Sequence, residues 1–325
     1  MSKIDKSYAI IGTGAIGGFY GAKLQNIGLD VHFLLHNDYD HVRQNGLVVE
    51  SPEGNIILPQ VKAYKNAENM PKCDVVVVAL KAINNAILHD ILPFILKDDS
   101  ILLLLQNGLG VEEELANFLA TIDKKAKIIG GMCFVCSNKV GPGYIRHLDY
   151  SSITLGEYLP NYQSAGITEE MKQIAVNFEQ TGIPIELCED LLLARWKKLI
   201  WNIPYNGLSV VLNARTDEIM SSQDIRILAE ELMWEVVEGA KAYQRIIPEA
   251  FVKKMLDHTE KMKPYRTSMK LDYDEKRPLE VEAILGTPLR KSQEAGVELP
   301  KISMLYRQLK FLDQQNRAEK SQQKA

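Results

Sequence analysis

The first half of the chain alternates short apolar runs with longer segments of helical periodicity. The apolar runs are rich in β-branched and aliphatic residues and show little polar alternation, which is typical of strands covered on both faces. They occupy residues 8–11, 31–35, 75–80 and 101–105. Between them, apolar residues recur at helical spacing over 15–27, 84–92 and 111–119. This βαβα order predicts a Rossmann-type, doubly wound parallel sheet.

The pattern changes at about residue 190. Before that point, a Gly-Pro-Gly turn at 141–143 precedes two strand patterns, which we expect to extend the sheet in antiparallel fashion, and one more helix and strand follow them. After it, strand signals vanish and amphipathic stretches cover 191–202, 225–245, 250–262 and 278–295. The sequence therefore predicts an α/β protein with a dinucleotide-binding domain over 1–189 and an all-helical domain over 190–325. Its polar end, about 313–325, is expected to be disordered.

Composition narrows the class of protein. The 325 residues are 46% hydrophobic and 25% charged, as in ordinary globular proteins, and the formal net charge is −4. No basic block is present that would neutralise nucleic-acid phosphates, and no apolar run reaches the roughly 18 to 20 residues that a membrane span needs. These features predict a protein that binds no nucleic acid and does not span a membrane.

The four cysteines are too few for a disulfide framework in a chain of this length, which favours reduced thiols and predicts a cytoplasmic protein. Cys133 and Cys136 form an isolated CxxC motif with no second pair to complete a zinc site. We interpret both as small apolar residues of a buried strand, and we predict no metal site.

A glycine-rich motif joins the first predicted strand to the first predicted helix. In this position the first glycine makes a tight turn, the second lets the backbone approach a pyrophosphate, and the third brings helix against strand. The free N–H groups at the start of the helix then face the anion. The predicted cofactor-binding residues of this motif are Gly12, Thr13, Gly14, Ala15, Ile16 and Gly17.

The end of the second strand leaves the choice of dinucleotide open. NAD-binding proteins usually carry an acidic residue there, whereas NADP-binding proteins carry a positively charged donor. Here the strand is followed by His36, Asn37 and Asp38. His36 and Asn37 can donate to a phosphate, while Asp38 can serve NAD or cap the following helix.

Two further strands end in polar residues, at the edge of the sheet where ligands bind in such folds. Lys81 follows the 75–80 strand, and Gln106-Asn107-Gly108 follows the 101–105 strand. Lys81 can alternatively be a solvated charge, and Asn107 can be a turn residue.

In the helical half, the 191–202 stretch is mostly apolar, so a positively charged side chain within it indicates a specific structural or functional role. Lys198 and Asn202 lie one turn apart on one face, and Asn206 follows at the same interval beyond Pro204, which we expect to kink or end the helix. Lys197 points elsewhere and is expected to face solvent. The alternative for Lys198 is a lysine that extends from a core helix to water. Glu280 lies in the first turn after Pro278, where an acidic residue ordinarily compensates the helix dipole.

Taken in order, these motifs resemble the ketopantoate reductases (2-dehydropantoate 2-reductases). The resemblance covers essentially the whole chain through GTGAIGG at 12–18, VVVVALKA at 75–82, LLQNG at 104–108, and the segments 196–202 and 268–286. It implies a Rossmann-type domain, a helical domain, and an active site in the cleft between them. It also implies NADPH-dependent reduction of the C2 ketone of 2-dehydropantoate to pantoate, in pantothenate and coenzyme A biosynthesis.

The resemblance also assigns roles to individual residues. Lys198 matches the catalytic lysine of the family, Glu280 matches its substrate-binding glutamate, and Ser268 matches a serine that binds the substrate carboxylate. The positions of the remaining polar residues match asparagines that contact substrate or cofactor and the lysine near the cofactor. These are Asn107, Asn202, Asn206 and Lys81.

The main departure is His36, where many members have an arginine that grips the 2′-phosphate of NADPH, so NAD(H) stays open as the cofactor. Two other functions are alternatives to the predicted reductase. One is a dehydrogenase of another 2-oxo or 2-hydroxy acid, and the other is a non-catalytic NADP(H) sensor, which would not need Lys198, Asn202 and Glu280 together. Apolar helices leave a homodimer open.

Overall fold

A computed structural model describes residues 5–322, and of residues 320–322 only the backbone. The chain folds into two compact units. The sheet unit comprises the described residues up to Gln106 together with Val111–Leu191. The helical unit comprises Asn107–Gly110 and the described residues from Leu192 onward. The boundary thus falls two residues after the predicted one, and a four-residue segment that follows a sheet strand belongs to the helical unit.

In the described residues of the sheet unit, ten strands form one sheet. They are β1 (Ser7–Ile11), β2 (Asp30–Leu34), β3 (Leu47–Glu50), β4 (Ile56–Leu58), β5 (Lys62–Tyr64), β6 (Cys73–Val78), β7 (Leu96–Leu104), β8 (Lys127–Gly141), β9 (Tyr144–Glu157) and β10 (Ile185–Leu187). Their order is β4-β3-β9-β8-β7-β6-β1-β2-β5, and β10 pairs with β9. Only β8–β9 and β3–β4 pair antiparallel among these strands.

Five helices accompany this sheet in the described part of the unit. They are α1 (Ala15–Asn26), α2 (Tyr39–Asn45), α3 (Leu88–Ile95), α4 (Val111–Thr121) and α5 (Glu169–Gln180). Short 3₁₀ turns cover Ala67–Asn69, Ala82–Ile87 and Pro160–Tyr162. The predicted 84–92 helix is therefore a 3₁₀ turn followed by α3, which continues through Pro93.

Successive residues of β1 enter opposite faces of the sheet. Tyr8 and Ile10 belong to one apolar cluster, and Ala9 and Ile11 belong to another. All four side chains are at most 1% exposed, as the absence of polar alternation predicts for a strand covered on both faces. The predicted fold class, a Rossmann-type α/β sheet with a helical C-terminal region, is confirmed.

The parallel register brings the ends of the central strands together. Ile11 of β1 lies opposite Leu34 of β2 and Val78 of β6, and Val78 lies opposite Leu104 of β7. Within the sheet unit, the segments that follow these strands hold the glycine motif, Lys81 and Gln106, and they therefore share one edge of the sheet.

The helical unit contains no strand among its described residues. Its helices are α6 (Leu191–Val211), α7 (Thr216–Ser221), α8 (Gln223–Ala242), α9 (Glu249–Lys261), α10 (Ser268–Asp274), α11 (Thr287–Glu294) and α12 (Pro300–Gln322), with a π-helical turn over Glu282–Gly286. No helix in residues 5–322 has the length and apolar character needed to cross a bilayer.

The sequence predicts that Pro204 kinks or ends the helix, and the structure shows that the helix does not end there. The helix α6 continues to Val211, and the neighbours Ile203 and Tyr205 are completely buried. This packing outweighs the hydrogen bond that proline removes, a loss of about 3 kcal/mol.

The chain from about residue 313 is not disordered, since α12 extends to Gln322; residues 323–325 lie outside the described part. Its polar side chains satisfy the buried backbone of the segment before the π-helical turn. The Leu279 N–H donates to Asp313 Oδ1 (2.9 Å), and Asn316 Nδ2 donates to the Tyr273 carbonyl (3.0 Å). Both Asp313 and Asn316 are less than 10% exposed. The polar composition of this segment predicts disorder, and this prediction is wrong because the Asp313 and Asn316 side chains form hydrogen bonds with backbone atoms of the folded chain.

Asp74, near the start of β6, links the beginnings of the neighbouring strands β1 and β7. Its carboxylate accepts from the Ser7 N–H (2.9 Å), the Ser7 hydroxyl (2.7 Å) and the Lys97 ammonium (2.5 Å). Partial burial alone would raise the pKa of this carboxyl, but these donors favour the ionised form and lower the pKa to about 2.

We therefore predict that Asp74→Asn lowers the free energy of unfolding by about 1–2 kcal/mol at pH 7. Because the folded-state pKa is depressed, this contribution is present above about pH 4 and is lost as the pH falls toward 2. Urea unfolding at pH 7 and pH 3 measures it. The control Asp98→Asn removes an exposed partner of Lys124 and should leave the free energy of unfolding close to that of the parent protein. A cost for Asp74→Asn that does not shrink at pH 3 contradicts the assignment.

Candidate active site

The glycine-rich turn after β1 leaves no room for side chains at its first and last glycines. Gly12 has φ +90°, and a Cβ there would lie 2.7 Å from the Leu80 nitrogen. A Cβ on Gly17 would lie 2.4 Å from the Gly12 carbonyl oxygen. These two glycines are therefore required by the fold of the turn itself.

Gly14 differs, because a Cβ added there would meet no atom within 4 Å. It is the N-cap residue of α1, and no side chain caps the helix. The first N–H groups of α1 thus have no side-chain acceptor at the cap, beside an open space. A glycine with open space at this position fits the close approach of a dinucleotide pyrophosphate. Ala15 and Ile16 follow as the first, half-buried residues of α1.

Thr13 of the turn contacts the end of β2, and His36, Asn37 and Asp38 follow that strand. Thr13 is buried, and its hydroxyl donates to the Leu34 carbonyl (3.1 Å). His36 is exposed, and its Nδ1 lies 2.6 Å from Asn37 Oδ1. Asp38 does not cap α2 with its side chain; instead it forms an ion pair with Lys139 at 2.6 Å.

The two other strand ends differ in what they hold. Lys81 is half-buried and is the N-cap residue of the 3₁₀ turn after β6. Gln106 is 3% exposed, and its amide donates to the Leu80 carbonyl (2.9 Å) and to Asn85 Oδ1 (2.7 Å). Gln106 thus ties the chain after β7 to the chain after β6.

All the predicted substrate-binding residues and Lys198 belong to the helical unit, Asn107 included. Asn202 Nδ2 lies 3.4 Å from Asn107 Oδ1, so the structure brings these two amides together. On α6, Lys198 is half-buried, while Asn202 and Asn206 are 3% and 2% exposed. Within the described part of the chain, Asn206 Oδ1 is buried and accepts no hydrogen bond. A buried acceptor in this condition is costly unless a ligand supplies the donor.

The π-helical turn holds the segment after Asn107. The Leu109 N–H donates to the Ala283 carbonyl (2.9 Å), and a Cβ on Gly108, whose φ is +96°, would lie 2.4 Å from the same oxygen. A π turn shifts the regular helical hydrogen-bond pattern, and such turns are frequent at functional sites. Here Ala283 gives its carbonyl to a partner outside the helix.

The two glutamates near this turn have different surroundings. Glu280 is 7% exposed, and its carbonyl accepts from the Ile284 N–H (3.1 Å). Glu282 is about half exposed and accepts from Arg290, Tyr306 and Lys310. Burial opposes ionisation of Glu282, but these donors keep its pKa below the usual range. Glu282 is therefore engaged in a surface cluster, whereas Glu280 is buried and lies three residues before Ala283 in the chain.

Ser268 is connected to α6 through its neighbour. It is the exposed first residue of α10, whose N-cap is Thr267. The Thr267 hydroxyl lies 2.7 Å from the Ser209 hydroxyl, which donates to the Asn206 carbonyl (3.1 Å). This network fixes the start of α10 against the end of α6 within the helical unit.

Sequence reasoning missed two features of these sites. The Ala283 carbonyl acts through the backbone and leaves no side-chain signal. Lys139 reaches the glycine-rich turn from 126 residues away in the sequence, and no local pattern marks that contact. Cys133 and Cys136 lie on β8 and are not joined in a disulfide. Residues 5–322 contain no group of three or more His, Cys, Asp or Glu side chains placed to hold a metal.

Two family models match the chain, one to each half. The model described as "Ketopantoate reductase PanE/ApbA" matches residues 8–160, and "Ketopantoate reductase PanE/ApbA C terminal" matches residues 190–313. The chain belongs to the ketopantoate reductase family.

Other members of the ketopantoate reductase family are similar over nearly the full length. A 2-dehydropantoate 2-reductase of Nostoc sp. is 64% identical over 313 residues, covering 96% of this chain and 97% of that protein. The crystal structure of 2-dehydropantoate 2-reductase from Geobacter metallireducens is 40% identical, with a TM-score of 0.88 over 94% of this chain and 99% of that one. A D-mandelate dehydrogenase with NADH shares the fold, at 19% identity and a TM-score of 0.83 over 95% of this chain and 99% of that one.

The contrast among the glycines gives a test of the ketopantoate reductase turn. We predict that Gly14→Ala keeps the melting temperature within about 2 °C but weakens dinucleotide binding about 10-fold or more, because its methyl group enters the open space. Gly12→Ala should instead destabilise the fold by about 2 kcal/mol or more, since it adds a clash to a positive φ. Thermal unfolding and calorimetric titration with NADPH separate the two. Normal binding by folded Gly14→Ala would show that the space is not used by the cofactor.

Proposed function

We propose that this protein reduces the C2 ketone of 2-dehydropantoate to pantoate with a nicotinamide cofactor, a step in pantothenate and coenzyme A biosynthesis. The observation that carries the proposal is the 64% identity, over 96% of the chain, to a protein named for this reaction. The polar residues of the helical unit support it, because a cation can protonate the alkoxide of a reduced 2-oxo acid and a carboxylate or amide can bind a substrate hydroxyl.

The cofactor proposed for this site is NADPH, with NADH as the alternative. The open space at Gly14 and the uncapped start of α1 fit the pyrophosphate that both dinucleotides share. The Gly12–Gly17 turn would hold the dinucleotide, with His36 at the ribose end, and Lys81 and Asn107 would bind it from the neighbouring strand ends. When bound, the nicotinamide supplies the hydride for the carbonyl carbon.

Lys198 is the proposed catalytic residue. Hydride addition to C2 places negative charge on the substrate carbonyl oxygen, and that oxygen then takes a proton. The Lys198 ammonium would stabilise the developing alkoxide and donate the proton, a general-acid role typically worth about 10²- to 10⁴-fold in rate. Its position on a packed helix limits the motion of its backbone and favours a fixed direction of approach.

The remaining polar residues would bind and orient the substrate. Glu280 would accept a hydrogen bond from the terminal hydroxyl, and Ser268 would donate to the carboxylate. Asn107, Asn202 and Asn206 would place the 2-oxo acid between these ends, with Asn206 Oδ1 as an acceptor that needs a donor. A site that pairs with a substrate hydroxyl strongly rejects analogues without one, because its own polar group is then left unpaired.

Two other functions are separable from this one by experiment. A family member that acts on another 2-oxo or 2-hydroxy acid would use Lys198 with a different preferred substrate. A non-catalytic NADP(H) sensor would bind the cofactor and oxidise it with no 2-oxo acid. The cytoplasmic location, the homodimer, and the expectation of no nucleic-acid partner stay predictions from sequence.

The direct experiment is oxidation of NADPH and of NADH in the presence of 2-dehydropantoate and a panel of other 2-oxo acids. The proposal predicts the highest kcat/KM for 2-dehydropantoate. A clear preference for another 2-oxo acid would contradict the assignment of 2-dehydropantoate as the substrate. Tight NADPH binding without turnover of any member of the panel would support the sensor function.

We further predict that Lys198→Ala lowers kcat by about 10²- to 10⁴-fold while NADPH still binds, because the proposed cofactor site is the glycine-rich turn and does not include Lys198. The matched control is Lys197→Ala, which removes the adjacent lysine of α6, whose ammonium lies 5.5 Å from the centre of the Phe251 ring. This control should keep kcat within about threefold. Steady-state kinetics and cofactor titration of both variants check the prediction, and equal kcat values in the two variants would remove Lys198 from the mechanism.

A further inference from the structure

Lys139 brings a positive charge to the glycine-rich turn from a distant strand. It lies on β8, and its ammonium lies 2.6 Å from Asp38 Oδ2 and 3.4 Å from the Thr13 carbonyl oxygen. Its side chain keeps 30% of its surface exposed. The ammonium therefore contacts both the glycine motif and the segment after β2, and the lysine side chain is partly exposed beside them.

Asp38 is the carboxylate that this lysine engages. Its side chain is 8% exposed, and the oxygen that pairs with Lys139 also accepts from the Gly143 N–H (3.1 Å). In Rossmann folds, an acidic residue in this region accepts from the ribose hydroxyls of NAD, whereas a positively charged residue accommodates the 2′-phosphate of NADP. Here the acidic residue is already bonded to a positive residue, so the net charge of the pair is zero.

The β8–β9 hairpin holds Lys139 in place. Lys139 pairs in the sheet with Ile145, which is completely buried. A Cβ on Gly18 of α1 would lie 2.7 Å from Ile145 Cδ1, so the hairpin packs closely against this helix. On the same strand, the Ser137 hydroxyl donates to the Ala15 carbonyl (3.5 Å). The lysine therefore approaches the turn from a packed strand.

We propose that Lys139 determines cofactor specificity by interacting with the group at the 2′ position of the adenosine ribose. Its ammonium attracts a 2′-phosphate and at the same time neutralises Asp38, which would otherwise repel that phosphate. The inference rests on the proposed function only in requiring a nicotinamide dinucleotide at the glycine-rich turn.

The charges give Lys139 an effect that a merely structural residue would not have. Without the ammonium, Asp38 keeps the hydrogen bond from Gly143 but loses its ion-pair partner. Its negative charge then repels the doubly negative phosphate of NADPH, and it can accept a hydrogen bond from the 2′-hydroxyl of NADH. Loss of Lys139 should therefore change the relative affinity for the two cofactors, whereas a folding defect would weaken both.

The experiment is calorimetric titration of the full-length protein without substrate, using NADPH, NADH and the fragments 2′,5′-ADP and 5′-AMP. Lys139→Ala should raise the Kd for NADPH and 2′,5′-ADP about 10- to 100-fold and leave the Kd for NADH and 5′-AMP within about threefold or lower. Lys139→Arg, which keeps the charge, should stay near the parent. The matched control Lys124→Ala removes a lysine paired with Asp98 at 2.6 Å and should change neither affinity.

A second variant separates attraction from repulsion. In Lys139→Ala combined with Asp38→Asn, the repelling carboxylate is gone, so the Kd for NADPH should fall below that of Lys139→Ala but stay above that of the parent. This partial recovery supports the proposal even if Lys139→Ala alone is less stable.

An equal rise of the Kd for NADPH and NADH in the alanine variant would overturn the proposal, as would a Kd for NADPH within twofold of the parent. In either case a parent protein that turns over 2-dehydropantoate leaves the proposed function intact. A parent protein that binds neither dinucleotide overturns both.

Discussion

The hydrogen bond from the Leu109 N–H to the Ala283 carbonyl is the contact on which the candidate substrate site depends. It holds the Asn107–Gly110 segment to the π-helical turn, and Gly108 is needed because any side chain there would strike the same carbonyl. The Asn107 amide then meets Asn202 of α6, and Glu280 lies just before the turn. The Asn107–Gly110 segment thus joins the helical unit, which is distant in sequence, through a backbone hydrogen bond.

The sequence was informative where local chemistry decides the structure. The buried strands have no polar alternation because both faces are covered, and the glycines at 12 and 17 are required by backbone contacts within the turn. The helical spacing of Lys198, Asn202 and Asn206 survives because packing carries α6 through Pro204. The resemblance supplied what spacing could not, namely that Ser268 and Glu280 belong with these three residues in the predicted site.

Long-range contacts explain what the sequence could not predict. The polar end of α12 is helical because Asp313 and Asn316 bond to backbone groups near residues 273 and 279. The transfer of Asn107–Gly110 to the helical unit depends on Ala283, and the engagement of Asp38 depends on Lys139. In each case the deciding partner is far away in the sequence, so neither periodicity nor motif spacing contains it.

The most direct measurement of the central claim compares 2-dehydropantoate with its analogue lacking the terminal hydroxyl, in the parent protein and in Glu280→Ala. We expect the parent to favour the hydroxylated substrate by about 10²-fold or more in kcat/KM, and this ratio to approach one in the variant, because the carboxylate proposed to accept a hydrogen bond from the hydroxyl is then absent. A parent that treats the two substrates alike, or a variant that keeps the full preference, would contradict this role of Glu280 and the substrate site built around it.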